Sequence, residues 1–205
     1  MHPEAIKSEQ KKIFKKLKNF QEYYLAGGTA LALQIGHRIS IDFDFFSEKE
    51  IPQSLLPKIR RIFKEHKLKV EVNNPEQLTV NLKGVNLTFL KYPFPLIFKL
   101  TEYQGVKLLS VPEIAATKAY TIGQRATLKD YVDLYFILKE KHFSLEKIIA
   151  ISKKKFKGEF NQRLFLEQLI YLEDVEEMEI EFLREKPTKR QLQKFFEKEV
   201  SKLKI

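Results

Sequence analysis

The sequence predicts an α+β protein: a mixed, largely antiparallel sheet with helices in the first half, and a helical bundle in the second. Three observations carry this. Short segments of alternating apolar and polar residues recur before residue 91. A Gly27-Gly28 turn joins an apparent strand to an apparent helix. Beyond Pro93 and Pro95 the apolar spacing becomes helical, with helix-start signals ahead of several segments. Length allows one large domain or two small ones, and 43% hydrophobic residues suffice for a core. The expected division is an α/β domain over 1–108 and a helical domain over 109–205 packed against it.

In chain order, residues 3–20 read as a helix with Ile6, Ile13, Leu17 and Phe20 along one side. Residues 23–26 read as a strand, 29–36 as a short helix and 39–46 as a strand. In that last strand Ile41, Phe43 and Phe45 share the core face. Pro52 opens another helix, with Leu55, Ile59 and Ile62 inward. Residues 68–72, 77–82 and 85–90 alternate, and Gly84 turns the last two into a hairpin. Residues 105–109 form one more strand. Ser110, Pro112 and Glu113 mark a helix start, with Glu113 placed to complete a capping box, and the helix runs to about Gly123. Further helices are expected over 127–139, 144–156, 162–172 and 188–203, the last opened by Thr188 with Gln191 three residues on.

Charge narrows the partners. The net charge of +10 points to a polyanionic partner, nucleic acid first, with a lysine-rich solvated surface an equal alternative on charge alone. Lysines crowd the first helix and recur at Lys153, Lys154, Lys155 and Lys157, which read either as a solvated helix end or as the surface where an RNA acceptor docks. An acidic run from Glu173 to Glu181 reads as a solvated helix face. There are no cysteines, which excludes disulfides and thiolate metal sites. No apolar run is long enough to span a membrane, and the N-terminus lacks the apolar core of a secretion signal. The expectation is a cytoplasmic protein.

The chemistry concentrates in LAGGTALALQIGHRISIDFDFF. Asp42 and Asp44 are two apart on one strand, so their carboxylates share a face and repel each other unless a cation lies between them. A divalent ion, magnesium or manganese, satisfies that need and takes phosphate oxygens as further ligands. Gly27, Gly28 and Thr29 open the following helix, where bare backbone N–H groups favour a phosphate. His37 and Arg38 follow that helix as a surface pair. Arg38 lies close enough in sequence to ion-pair with the aspartates or touch a substrate, and Ser40 shares their face.

A second constellation is PEIAATKAYTIGQRATLKDYVDLYFIL. Lys118 and Arg125 are seven apart and are expected to share a helix face with Ile122. Asp130 and Asp133 share a face of the next helix. These charges can form an interhelical salt-bridge network, such as Arg125 with Asp130 or Asp133. Alternatively, Lys118 or Arg125 can bind nucleotide phosphates. Spacing alone favours the network.

Together these blocks, with GVNLTFLKYPFPLI and LIYLEDVEE, resemble the nucleotidyltransferase AbiEii/AbiGii toxin family of the polymerase-β-like superfamily. The resemblance implies a metal-dependent transferase using an NTP, related to toxins of toxin–antitoxin or phage-defence systems and to enzymes that modify tRNA ends. It implies Asp42 and Asp44 as metal ligands, and Gly27, Gly28 and Thr29 on the triphosphate. Lys118 and Asp130 match the family's helical lysine and its following acidic position. RNA, tRNA above all, is the expected acceptor, and a cognate antitoxin the expected partner. One departure stands out. The superfamily's third carboxylate falls on the strand 85–89, where Asn86 and Thr88 occupy the polar face. Asp130 or Glu71 is left to substitute for it; otherwise the chain is a weak or inactive module that binds nucleotide, RNA or an antitoxin. A small-molecule modifier, such as an antibiotic nucleotidyltransferase, is a third reading that the basic excess disfavours.

Overall fold

The computed structural model describes residues 1–125 and 127–203. The chain divides into two compact units, Met1–Pro95 with Lys99–Leu109, and Leu96–Phe98 with the chain from Ser110 onward. In the first unit, the described residues build a seven-stranded sheet from β1 (Tyr24–Ala26), β2 (Phe43–Ser47), β3 (Leu68–Asn73), β4 (Gln77–Leu82), β5 (Val85–Lys91), β6 (Thr101–Tyr103) and β7 (Val106–Leu108). The order is β3-β4-β5-β2-β1-β7-β6. Only β1–β7 and β2–β5 are parallel, so the sheet is mixed and largely antiparallel, as expected. Helices α1 (Ser8–Leu17), α2 (Gly27–Ile35) and α3 (Leu55–Ile62) complete the unit.

Alternation in β2 sends Phe43 and Phe45 inward, at 0% and 1% exposure. Phe45 stacks on Phe89 of β5 at 5.3 Å, and Phe20 closes on the same ring at 5.1 Å. Each such ring contributes about 1.5–3 kcal/mol through burial. The strand is shorter than its alternation predicts: it begins at Phe43, and Ile41 is 49% exposed instead of facing the core. The reason lies in the backbone. Gln10 of α1 donates through Nε2 to the carbonyls of Ser40 and Ile41, at 2.7 and 2.5 Å. Thr29 Oγ1 lies against the Asp42 carbonyl. Side chains therefore hold the groups that a longer ladder would have used.

Gln10 also divides the first helix. The predicted helix over 3–20 is a 3₁₀ turn, Pro3–Ala5, then extended backbone at Ile6 and Lys7, then α1. The Lys7 N–H donates to Gln10 Oε1 at 2.8 Å, which starts the helix afresh. The β4–β5 hairpin turns on Lys83 and Gly84, both at positive φ, as the Gly84 signal implied. A second hairpin, β6–β7, turns in the same way on Gln104 and Gly105; the sequence had indicated only its later strand.

The second unit holds α4 (Val111–Ile122), α5 (Leu128–Lys139), α6 (Leu145–Phe156), α7 (Gln162–Ile170) and α8 (Lys189–Val200). The Thr188/Gln191 capping box forms at α8 as predicted. The one predicted at α4 does not: Ser110 makes no capping bond. Glu113 is fully buried instead, and its Oε1 accepts the N–H groups of Ile97 and Phe98. Its Oε2 accepts from Lys155 Nζ at 2.7 Å. Lys155 is thus a buried partner of Glu113 and not part of a solvent-facing lysine cluster. Lys153, Lys154 and Lys157 remain exposed. The acidic residues of 173–181 are exposed as expected, but no helix carries them.

Tyr131 of α5 is fully buried and donates to the Gln168 carbonyl at 2.9 Å. Burial, and secondarily the Asp130 carboxylate, push its phenol up to about 12 from an ordinary value of 10.0. The neutral phenol is the form the fold favours. Its stabilising contribution is therefore complete below about pH 10 and is lost as pH rises toward about 12. Urea unfolding between pH 9 and 12 should show wild type losing about 1–2 kcal/mol more than Tyr131→Phe over that window. Parallel pH curves for the two proteins would contradict this.

Candidate active site

Strand β1 runs into α2 without a loop, and the turn is made by Gly27 at φ +64°. Register places Ala26 opposite Asp44 on one side of β2, and Thr88 opposite Asp44 on the other. The Gly27–Thr29 turn therefore lies beside Asp44. A Cβ added at Gly27 would stand 3.0 Å from Asp44 Oδ2. One added at Gly28 would stand 2.3 Å from Arg38 Nη2 and 3.5 Å from Ser40 Oγ. The two glycines thus leave room for a carboxylate and a guanidinium at the first turn of a helix, where backbone N–H groups favour anions.

Asp42 and Asp44 are both half-buried and flank the buried Phe43. The Asn86 N–H donates to Asp42 Oδ1 at 2.9 Å and orients that carboxylate. Asn86 is held in turn by Asn81, whose Nδ2 donates to Asn86 Oδ1 at 2.8 Å. Thr29 Oγ1 lies 2.7 Å from Ser40 Oγ, tying the helix start to the segment leading into β2. His37 and Arg38 are at 0% and 2% exposure, so they form a buried pair and not the surface pair expected. Arg38 Nη1 donates to the Ile39 carbonyl at 3.2 Å while Nη2 lies over Gly28.

The residues suit a magnesium ion. The donors are hard carboxylate oxygens, two of them, with a glycine where a side chain would crowd them. Among the described residues no group of three or more His, Cys, Asp or Glu is gathered to hold a metal. On the strand where the resemblance puts a third carboxylate, Thr88 lies beside Asp44 and 3.3 Å from Thr79 Oγ1, and Asn86 donates its N–H to Asp42. Glu71 cannot supply that carboxylate. It lies on β3, the sheet edge, with β4 and β5 between it and β2, a separation of about 14 Å across three strand spacings.

In the helical unit, Lys118 Nζ lies 2.7 Å from Asp130 Oδ1 and 2.7 Å from Asp133 Oδ2. Asp130 Oδ2 accepts from the N–H and hydroxyl of Thr127 at the start of α5. Both Asp130 oxygens are engaged, which fits it to hold Lys118 and not to act as a base. Arg125 lies beyond the end of α4 and is exposed; it neither shares a helix face with Lys118 nor supplies the cation of this network. Sequence reasoning missed Gln10. A glutamine three residues into a lysine-rich helix reads as surface, and only its place among the apolar positions beside Ile13, Phe14 and Leu17 hinted at burial.

Gly27→Ala should therefore damage activity more than stability. Placing a Cβ at φ +64° costs about 1–2 kcal/mol, and contact with Asp44 moves that carboxylate. A displacement of this kind lowers kcat/KM by about 10- to 100-fold. Equal kcat/KM in the folded variant would count against this geometry.

A glycine-turn helix start beside a strand bearing Asp-x-Asp, within a mixed sheet, is the arrangement of a nucleotidyltransferase. The chain belongs to the nucleotidyl transferase AbiEii toxin family of type IV toxin–antitoxin systems, whose model matches residues 13–93 and 77–204. It is 30% identical over 200 residues to the uncharacterized protein aq_aa25 of Aquifex aeolicus (strain VF5), covering 95% of this chain and 96% of that one. Its fold is similar to a crystal structure described as a nucleotidyltransferase from H. pylori, with TM-score 0.58 and 19% identity, over 99% of this chain and 97% of the other. It is also similar to the nucleotidyltransferase toxin MenT4 of Mycobacterium tuberculosis H37Rv, with TM-score 0.50 and 13% identity, over 70% and 61% of the two chains. Among the described residues, no helix is long and apolar enough to cross a membrane.

Proposed function

We propose that the protein moves a nucleotidyl group from an NTP to RNA, with tRNA as the acceptor class, and acts in the cytoplasm as the toxin of a toxin–antitoxin pair. The observation that carries this reading is the Asp42/Asp44 pair, with Asp44 on β2 and Asp42 in the residue just before it, set against the Gly27–Thr29 helix start. Asp42 and Asp44 would hold magnesium or manganese, which supplies Lewis-acid stabilisation of charge on the transferring phosphate. Gly27, Gly28 and Thr29 receive phosphate oxygens at the start of α2, and the Arg38 guanidinium over Gly28 adds positive charge there. The Asn86 N–H fixes the Asp42 carboxylate. In the helical unit, Lys118 and Asp130 carry over by family resemblance as site positions, with Arg125 a candidate nucleotide contact. The net charge of +10 supports a polyanionic acceptor.

A second reading has its own observation. Thr88 and Asn86 stand where a third carboxylate is expected, which favours a module that binds nucleotide, RNA or an antitoxin with little turnover. Incubation with each labelled NTP, magnesium and total tRNA separates the two. Label on RNA that is abolished by a chelator and restored by magnesium supports transfer. NTP binding without label on RNA, protein or small hydroxylated acceptors supports the module.

A further inference from the structure

We propose that the outer face of α1 and the tip of the β4–β5 hairpin form the surface on which a single RNA strand approaches Asp42. The inference rests on the acceptor reading above and adds to it a location. Helix α1 is amphipathic: Gln10, Ile13, Phe14 and Leu17 are buried, while Lys11, Lys12 and Lys15 are exposed. Its single acid, Glu9, is already matched by Lys12 at 2.8 Å.

Two hydrogen-bonded routes tie this face to the candidate catalytic pair. On the inner side of α1, Gln10 holds the carbonyls of Ser40 and Ile41, the two residues ahead of Asp42. At the hairpin, the Gly84 N–H donates to Asn81 Oδ1 at 2.9 Å. Asn81 holds Asn86, and the Asn86 N–H holds Asp42. Lys83, exposed at φ +52°, forms the tip of that hairpin.

Both routes end at Asp42 or the residues just ahead of it. Lys16 Nζ donates to the Ile62 carbonyl at 3.2 Å and lies 5.6 Å from the centre of the Phe63 ring, so the end of α3 packs against α1. His66, at the close of that segment, sits edge-on to Phe63 at 5.8 Å. Burial, then the charges of Lys16 and Lys83, hold its imidazole below the ordinary value.

The chemistry of this face favours a nucleic acid strand. Exposed ammonium groups on flexible stems match phosphates as point charges without demanding a fixed geometry. Ile41, 49% exposed beside Asp42, offers an apolar side chain that a base can cover, and an acidic peptide has no comparable need for it.

The test uses the full chain and a fluorescein-labelled, mixed-sequence, 20-nucleotide single-stranded RNA, titrated at several salt concentrations. One variant replaces Lys11, Lys12, Lys15 and Lys83 by Gln; all four are exposed, and circular dichroism verifies folding. Its affinity should fall about 10- to 100-fold near 0.15 M salt, and its log–log salt slope should flatten by about 2 to 3, at roughly 0.7 per phosphate contact. A second variant, K153Q/K154Q/K157Q, should bind as wild type does. Unchanged affinity and slope in the first variant, or the loss appearing only in the second, overturns the proposal. Poly-L-glutamate bound as tightly as RNA, with the same loss, also overturns it in favour of an acidic protein partner. RNA bound through these lysines but never labelled from NTP supports the surface and overturns the acceptor reading.

Discussion

Replacing Asp42 and Asp44 together by Asn should abolish nucleotidyl transfer, with a fall in rate on the order of 10³-fold or more, while the protein stays folded. On the proposed mechanism, several kcal/mol of transition-state stabilisation would come from a cation held by these carboxylates, and each 1.4 kcal/mol is about tenfold. The fold should tolerate the change. Both side chains are half-buried, and Asn can still accept the Asn86 N–H at position 42. The measurement is transfer of label from NTP beside a thermal melt. Retained transfer in a folded double variant would remove the metal-pair mechanism.

The largest effect on stability is expected at Lys155. Its ammonium group and the Glu113 carboxylate are both at 0% side-chain exposure, 2.7 Å apart. Lys155→Met leaves the carboxylate buried without its cation, which costs about 3–5 kcal/mol. The melting temperature should drop by roughly 10 °C. Lys155→Met combined with Glu113→Gln should recover much of that loss. The charge is then gone, and a glutamine oxygen can still accept the Ile97 and Phe98 N–H groups that Glu113 Oε1 now takes. If the double variant is no more stable than the single, the buried charge is not the source of the loss. There is a practical corollary. Neutralising the whole 153–157 lysine cluster would unsettle the helical unit, so any loss of RNA binding in such a variant would say nothing about contact.

Much of the candidate site could be read directly. Period-two alternation placed Phe43 and Phe45 inward and the two aspartates on the opposite face, and the glycine pair marked a strand-to-helix turn. These are short-range signals, decided by backbone geometry within a few residues. What escaped reading depends on partners far along the chain. Ile41 kept the alternation but left the strand because Gln10, about thirty residues earlier, took its carbonyl. Ser110 and Glu113 had the spacing of a capping box, yet Glu113 was drawn away by Lys155, 42 residues on. Lys155 had lysine neighbours, and composition gave no hint that one of them was enclosed. His37 and Arg38 were judged by polarity, whereas the bare Cα of Gly28 made a place for the guanidinium inside the fold. A buried polar side chain is fixed by what it meets, and a linear pattern does not record that.

The position of β2 in the sheet has a kinetic consequence. It is fourth in an order of seven, paired with β1 on one side and β5 on the other. Its amide protons should therefore exchange with solvent more slowly than those on the edge strands β3 and β6, which local fraying can release. Asp44 rides on this central strand, and Asp42 directly precedes it. Mild denaturant that loosens β3 or β6 should leave Asp44 beside Gly27, and loss of nucleotide binding should coincide with global unfolding instead of preceding it.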